Sequence, residues 1–290
     1  MKERYLNPFT DFGFKKIFGE EINKDLLIDF LNELLKGEQH IKDLNHKKTE
    51  YLGTTQIDRK AIFDLYCEND RGEKFIVEIQ KTKQRFFKDR TVYYSTFPIA
   101  EQAEQGDWDY ELKAVYTIAI LDFTFEDENR DKKIVSHVQL MDTEKRRVFY
   151  DKLTFIYLQM PNFNKSEEEL ETRFDKWLYI LKNLPKLHNR PAKLQERVFE
   201  KLFSVAEIAK FSPVEIDAYE ESLKVYRDLK NALQTAKEEG KFEGKVEGRD
   251  ERNTEITVEM LKNGETDEKT ALYTGLPEET IKELRKRISL

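Results

Sequence analysis

The chain has few of the residues that build disulfide-linked or zinc-binding proteins. Its single cysteine, Cys67, excludes an internal disulfide bond and a cysteine-rich zinc site. The four histidines, at positions 40, 46, 137 and 188, show no paired spacing typical of metal ligands. A nucleophile elbow and a glycine-rich dinucleotide-binding fingerprint are also missing, so the sequence indicates neither of those two enzyme classes.

Long apolar runs are missing as well. No stretch of the sequence is long enough to form a membrane-spanning helix. The first four residues, MKER, do not resemble the start of a signal peptide. We therefore expect a cytoplasmic protein that has no membrane partner.

The charge balance is acidic. The 290 residues carry a net charge of −7, and 37% of them are charged while 12% are aromatic. This composition is typical of a soluble globular protein, with one sizeable domain and an accessory region. The acidic balance argues against a broad surface that coats nucleic acid, but local basic patches could still dock phosphate.

The most informative segment is a predicted β-hairpin at residues 63–80. Two apolar runs flank the polar turn NDRG at residues 69–72. A turn centred on Arg71 places Asp64 directly opposite Glu78, with Cβ atoms about 5 Å apart. Like charges that face each other across a sheet are destabilising unless another group neutralises them.

A hard divalent cation is the obvious neutralising group, because Mg²⁺ binds one or two carboxylates together with water and substrate phosphate. The alternative is an ordinary hairpin whose acidic residues lie on a solvated face. The apolar neighbours of Asp64 and Glu78 favour the metal site, since an acid within an apolar run is rarely on a wet surface.

These residues carry a family resemblance. An Asp on one strand followed by Glu-x-Lys on the next is the signature of the PD-(D/E)xK nuclease superfamily. Asp64 with Glu78, Ile79 and Gln80 resembles the variant in which Gln replaces Lys. The blocks NPFTDFGFKKIFG at residues 7–19 and RTVYYS at 90–95, and the glycine-spaced tail, add to it. Over most of its length the chain resembles the PD-(D/E)xK nuclease family transposases, also described as recombination-promoting nucleases.

The resemblance implies an α/β fold with a restriction-endonuclease-like mixed sheet core and flanking helices, over residues 1–160. The periodicity along the chain predicts the same order of elements. The expected elements are a helix at 22–36, a strand near 46–52, the hairpin, a helix at 84–104 that Pro98 kinks or divides, a doubly buried strand at 113–123, and strands at 134–140 and 153–160.

An all-α region is expected after residue 160. Residues 161–254 are predicted to be helical, and a long helix starts at the capping box SPVE, residues 212–215. Gly240, Gly244 and Gly248 recur every fourth residue, which predicts a hinge or a helix through which the chain forms a homo-oligomer. Residues 255–290 form a third, small helical segment with helix-turn-helix-like spacing and Gly275 at the turn.

The last predicted helix is basic. It carries Lys282, Arg285, Lys286 and Arg287, which a recognition helix would place against DNA phosphates. The alternative is a small helical hairpin that docks another subunit.

The resemblance implies a metal-dependent DNA endonuclease that is linked to recombination or transposition. In such an enzyme Asp64 and Glu78 would hold Mg²⁺ or Mn²⁺, and the carbonyl group of Ile79 could be a further ligand. Gln80 would orient water or phosphate, but without the charge of a lysine. Alternation along the strand predicts that Lys81 points away from Gln80.

Three more residues are candidates for the cleft. Arg90 and Tyr94 could line it from the following helix, or could simply pack that helix against the sheet. Asp11 could add a third acid, but we expect it to be the N-cap of a helix at residues 12–18. The second function considered is a catalytically silent DNA-binding or assembly protein on a nuclease-like fold.

Overall fold

The computed structural model describes residues 3–51, 61–103, 109–125 and 132–288. The chain divides into two compact units, Met1–Tyr226 and Arg227–Leu290. The first unit contains the helices α1 (Asp11–Phe18), α2 (Lys24–Leu34), α3 (Phe87–Ala100), α4 (Arg173–Asn183) and α5 (Arg197–Val205). The long helix α6 (Pro213–Lys262) begins in the first unit and continues into the second, where α7 (Asp267–Thr274) and α8 (Glu278–Ile288) follow.

The centre of the first unit is a mixed β-sheet. Its strands are β1 (Leu44–His46), β4 (Leu65–Asn69), β5 (Lys74–Gln80), β6 (Val115–Leu121), β7 (Val135–Asp142) and β8 (Arg147–Gln159), and their order is β1-β4-β5-β6-β8-β7. β5, β6 and β8 run parallel, whereas the remaining neighbours are antiparallel. The short strands β2 (Glu50–Tyr51) and β3 (Ala61–Ile62) pair separately. Every residue of β5 and β6 is buried, as expected for central strands that are covered on both faces.

The predicted hairpin is present with the predicted register. Leu65 pairs with Val77 and Cys67 with Phe75, so the turn is centred on Arg71. Gly72 takes a φ of 77°, a conformation that glycine adopts without strain. The regular strand begins at Leu65, so that Asp64 lies one residue before it.

Different helices cover the two faces of the sheet. Alternate residues of β5, namely Phe75, Val77 and Ile79, join the main core with α1, α2, α4 and α5. The other face carries α3, whose Phe87 packs against Tyr157 with ring centroids 6.3 Å apart. The mixed sheet with flanking helices confirms the predicted α/β, restriction-endonuclease-like fold class.

The helical core of the first unit is organised around Trp177. Its indole contacts the rings of Phe18, Phe30 and Phe199 at centroid distances of 5.8, 5.6 and 5.3 Å. The indole N–H donates to Asp29 at 2.7 Å, so the polar edge of this fully buried ring is satisfied.

Two details of the predicted helices differ. Pro98 does not divide α3, which continues to Ala100. Pro98 lies in the last turn, where its missing N–H removes one helical hydrogen bond near an end that frays in any case. α6 is helical without interruption through Gly240, Gly244 and Gly248, so this stretch is not broken into a hinge.

The second unit contains a compact helical pair. Gly275 ends α7 in the left-handed conformation, with a φ of 70°, and α8 follows. Arg285 of α8 donates to the Asp267 carboxylate at 2.7 Å and to the Glu265 carbonyl group at 2.6 Å. The side chain of Ile281 is fully buried. Among the described residues, no helix combines the length and the hydropathy needed to span a membrane.

Candidate functional site

Asp64 and Glu78 lie side by side where β4 begins and β5 ends. The Oδ2 atom of Asp64 accepts a hydrogen bond of 2.8 Å from the backbone N–H of Ile79, the residue next to Glu78. This bond anchors Asp64 to β5 although it lies outside the regular strand. Burial raises the pKa of Asp64, the Ile79 amide opposes this shift, and Asp11 adds to it.

Glu78 is a buried acid with little compensation from its surroundings. Its residue is 4% exposed, and its Oε2 atom lies 3.5 Å from the Nη2 atom of Arg90. Burial raises the pKa of Glu78 to about 8, and the charge of Asp64 contributes in the same direction while Arg90 opposes it. A second positive charge at this point would therefore stabilise the ionised form of both acids.

Arg90 is held in place by several contacts. Its Nη2 atom donates to Oε1 of Gln80, and its Nη1 atom donates to Gln84 at 2.7 Å. The guanidinium carbon lies 5.0 Å from the ring centroid of Phe87 and 5.6 Å from that of Tyr94. Arg90 thus brings a fixed positive charge from α3 to the carboxylate of Glu78.

Gln80 is used to position Arg90. Besides accepting from Arg90, its Nε2 atom donates to the carbonyl group of Thr82 at 2.8 Å. Both ends of the buried amide are therefore engaged within the protein. Gln80 lies beside the acids, as its place two residues after Glu78 suggested, but its partners are protein groups.

Tyr94 combines packing with proximity to the site. Its ring makes an edge contact with Phe63 at a centroid distance of 5.2 Å. Burial raises the pKa of its phenol, and the charge of Glu78 adds to this effect. The structure therefore brings Arg90 and Tyr94 together beside Glu78. Tyr94 also packs α3 against Phe63, which lies between β3 and β4.

A cavity of about 730 Å³ opens beside Asp64. Its charged lining includes Asp11, Lys15, Asp64 and Lys81. Burial lowers the pKa of Lys81, while Asp11 and Asp64 oppose that shift, so these three groups interact across the cavity. Asp64 thus belongs to both the acid pair and the cavity.

The N-cap expectation for Asp11 is wrong. Thr10 caps α1: its backbone is extended and its hydroxyl group accepts from the Gly13 N–H at 2.9 Å. Asp11 is instead the first helical residue, where a negative charge suits the helix dipole. Its carboxylate lies 3.0 Å from Lys15 and faces the cavity.

Sequence reasoning gave Lys81 no role in the site. As expected from alternation, Gln80 faces Arg90, whereas Lys81 lines the cavity that contains Asp64. The sequence signal that could have found Lys81 is its position directly after a wholly buried strand that carries a glutamate.

The donor atoms suit a hard divalent cation. The two carboxylates offer oxygen only, and both have raised pKa values that a bound cation would counteract. Within the described part of the chain, however, no group of three or more His, Cys, Asp or Glu side chains is arranged to hold a metal ion. Any further ligand would therefore be a backbone carbonyl group, water or substrate.

The basic residues of the tail belong to the second unit. Lys282, Lys286 and Arg287 are exposed on α8, and Lys282 lies 3.5 Å from Glu278. Arg285 is half-buried and holds α8 to Asp267, which gives it a structural task.

Comparison with known proteins identifies a family. The model of the PD-(D/E)XK nuclease family transposases matches residues 8–236, which include Asp64, Glu78 and the entire six-stranded sheet. No curated protein and no solved structure matches the chain. The family match indicates a role related to nuclease activity or transposition. Because it covers well over half of the sequence, the chain belongs to the PD-(D/E)XK nuclease family transposases.

Proposed function

We propose that the protein is a metal-dependent DNA endonuclease that hydrolyses phosphodiester bonds in recombination or transposition. The observation that carries this proposal is the pair formed by Asp64, just before β4, and Glu78, near the end of β5. Glu78 is buried with a pKa near 8, and its acidic neighbour is fixed by the Ile79 amide. Perturbed acids of this kind concentrate at functional sites.

Asp64, Glu78 and the carbonyl group of Ile79 would hold Mg²⁺ or Mn²⁺. A bound cation would lower the pKa of a water molecule and stabilise negative charge on the phosphate. Arg90 lies beside the same carboxylate, where its planar guanidinium can donate to a phosphate oxygen. Gln80 positions Arg90, and Lys81 adds positive charge on the cavity side of Asp64.

A catalytically silent DNA-binding or assembly protein is the second candidate. One observation favours it: Arg90 already lies 3.5 Å from Glu78 and supplies one positive charge to the acid pair. In that case the ion pair between Arg90 and Glu78 would hold α3 to the sheet, and no cation would be needed.

Nicking of supercoiled plasmid separates the two candidates. The assay compares the unaltered protein with Glu78→Gln and Asp64→Asn in Mg²⁺, in Mn²⁺ and in EDTA. Glu200→Gln is the matched control, because the Glu200 side chain is 66% exposed and lies on α5. Cation-dependent nicking that both site variants lose and Glu200→Gln retains supports the endonuclease. DNA binding without any nicking in either cation supports the silent protein.

The basic tail is proposed as an additional DNA contact. Lys286→Gln with Arg287→Gln should weaken DNA binding and lower its salt dependence if α8 contacts phosphates. Association of chains through the C-terminal helices is the competing role, and sedimentation of the same double variant measures it. A cytoplasmic location remains an expectation.

A further inference from the structure

The segment that leaves the candidate site is strongly basic. Residues 81–90, here called the 81–90 loop, comprise the connection after β5 and the first turn of α3. They contain five basic residues and a single acidic one, in a chain whose net charge is −7. The basic residues are Lys81, Lys83, Arg85, Lys88 and Arg90. Such a local excess of positive charge favours a polyanionic partner.

Two consecutive phenylalanines of this loop have opposite environments. Phe87 is 2% exposed and fixes the loop to the sheet through the rings of Tyr157 and Phe123. Phe86 is 64% exposed, and the guanidinium carbon of Arg85 lies 5.3 Å from its ring centroid. A rigidly anchored backbone therefore presents an apolar ring to solvent among cations.

The backbone of Phe86 lies one helical turn from Arg90, which contacts the proposed reaction site. The N–H of Arg90 donates to the carbonyl group of Phe86 at 3.0 Å, so the two residues are one helical turn apart. Arg90 in turn reaches Glu78 and Gln80. A strand whose phosphate lies at Glu78 would thus have its neighbouring nucleotides beside the 81–90 loop.

We infer that the 81–90 loop binds an unpaired DNA strand, with Phe86 stacked on a base and the basic residues along the phosphates. The inference rests on the proposed function and specifies its substrate class: DNA with an unpaired or distorted segment beside the cleaved bond. In a continuous duplex both faces of each base are covered by its neighbours, so an aromatic ring stacks without first separating two bases only where a base is already unstacked. Such stacking tolerates any sequence because every base has a flat aromatic face.

Binding of labelled DNA in EDTA tests the inference. Fluorescence anisotropy is measured for the full chain with a single strand of about twenty nucleotides and with the duplex of the same sequence. Phe86→Ala should weaken single-strand binding about tenfold or more, whereas Phe86→Trp should retain it. Phe149→Ala is the control, because Phe149 is also a highly exposed phenylalanine, at 80%. It lies near the start of β8, whereas Gln80 aligns through β6 with Gln159 at the other end of that strand.

The charge contribution is tested separately. The triple variant Lys83→Gln, Arg85→Gln and Lys88→Gln should weaken binding of both DNA forms and reduce the salt dependence. Phe86→Ala should affect the single strand more than the duplex. This difference distinguishes stacking from simple attraction to phosphate.

Several results would overturn the inference. Single-strand affinity of Phe86→Ala within twofold of the unaltered protein would do so, as would an equal loss in Phe149→Ala. The helix that follows Phe86, α3, also carries the exposed residues Val92 and Tyr93, and such a surface could alternatively bind another protein. If Phe86→Ala changed the oligomeric state in sedimentation but left DNA affinity unchanged, the surface would be a protein interface.

The binding assay is independent of cleavage, so the two proposals can fail separately. Stacking-dependent binding together with an absence of cation-dependent nicking would support single-strand binding by the 81–90 loop and contradict the proposed endonuclease activity. Nicking that Glu78→Gln abolishes, together with unchanged binding in Phe86→Ala, would do the opposite.

Discussion

Two buried acids of the first unit, Asp175 and Glu78, show how differently the fold can treat a carboxylate. Asp175 is 7% exposed and Glu78 is 4% exposed. Asp175 belongs to the capping box of α4, where it accepts from the Thr172 N–H at 3.0 Å and from Lys165 at 2.8 Å. Burial opposes its ionisation, but Lys165 and the backbone amides outweigh burial and lower its pKa.

Glu78 lies deeper in the protein than Asp175 and has fewer partners. Arg90, at 3.5 Å, is the only ion-pair partner of Glu78 in the described part of the chain, and the pKa rises to about 8. A carboxylate that the fold has fully provided with donors is a structural element. A carboxylate that the fold has buried beside another acid has a destabilised ionised form, which an external cation could stabilise.

The largest expected effect is on cleavage by Glu78→Gln. Loss of one charged ligand should reduce the nicking rate more than about 100-fold, since even outer partners of metal ligands contribute 10- to 100-fold. The melting temperature in metal-free buffer at pH 8 should be unchanged or higher, because a buried charge is removed. A large fall in melting temperature would instead make Glu78 a structural acid like Asp175.

The reverse outcome is expected for Asp175→Ala. Loss of the capping contacts and of the ion pair with Lys165 should lower the free energy of unfolding by about 2 kcal/mol. Urea unfolding measures this change, and the nicking rate per folded molecule should stay as it was. A strong loss of nicking in fully folded Asp175→Ala would remove the distinction between the two acids.

The two acids should also give opposite pH dependences. Glu78 has a raised pKa in the folded state, so the folded protein holds a proton that the unfolded chain has already lost above about pH 4.5. Metal-free stability should therefore fall as the pH rises from about 5 to about 8. Asp175 has a lowered pKa, so its contribution is present above the unfolded pKa and is lost as the pH falls below it.

Thermal melts across this pH range measure the effect. The fall in melting temperature between pH 5 and 8 should be smaller in Glu78→Gln. Mn²⁺ should also reduce this fall in the unaltered protein. Identical slopes in both proteins would show that Glu78 does not hold the extra proton.

The smallest expected effect is that of Gln80→Leu. Leucine cannot accept from Arg90 or donate to Thr82, so the guanidinium loses one of its anchors. Because Gln80 acts through Arg90, we expect cleavage to fall about tenfold, at the lower end of the range for outer partners. Arg90→Lys in the same assay should give a similar fall, and the double variant should add little. Fully additive losses would show that Gln80 acts directly on the substrate.

The sequence predicted the fold and the acid pair because both depend on local patterns. Alternation and the turn at Arg71 are sufficient to set the register that pairs Leu65 with Val77 and so brings Asp64 next to Glu78. The sequence could not indicate the cavity beside Asp64, because α1 and α6 reach it from positions more than forty residues away in the chain. The role of Lys81 follows from that tertiary packing.

The capping of α1 illustrates a second limit. Thr10 and Asp11 are adjacent, and either side chain can cap a helix. The choice depends on which residue has the extended backbone, and here that residue is Thr10. Likewise, the sequence places Gln80 near Glu78 but cannot reveal that its amide is already occupied by Arg90 and Thr82.

The single cysteine is a natural reporter of local opening around the hairpin. Cys67 lies opposite Phe75, it is fully buried, and burial raises the pKa of its thiol to about 12. Thiol reagents attack the thiolate, so modification must wait until the helices that cover this face of the sheet move away and the sulfur meets water. The rate at which this thiol is modified therefore reports how readily the core opens over the strands that lie beside both acids. Any ligand that joins Asp64 to Glu78 should lower the rate at which Cys67 is modified.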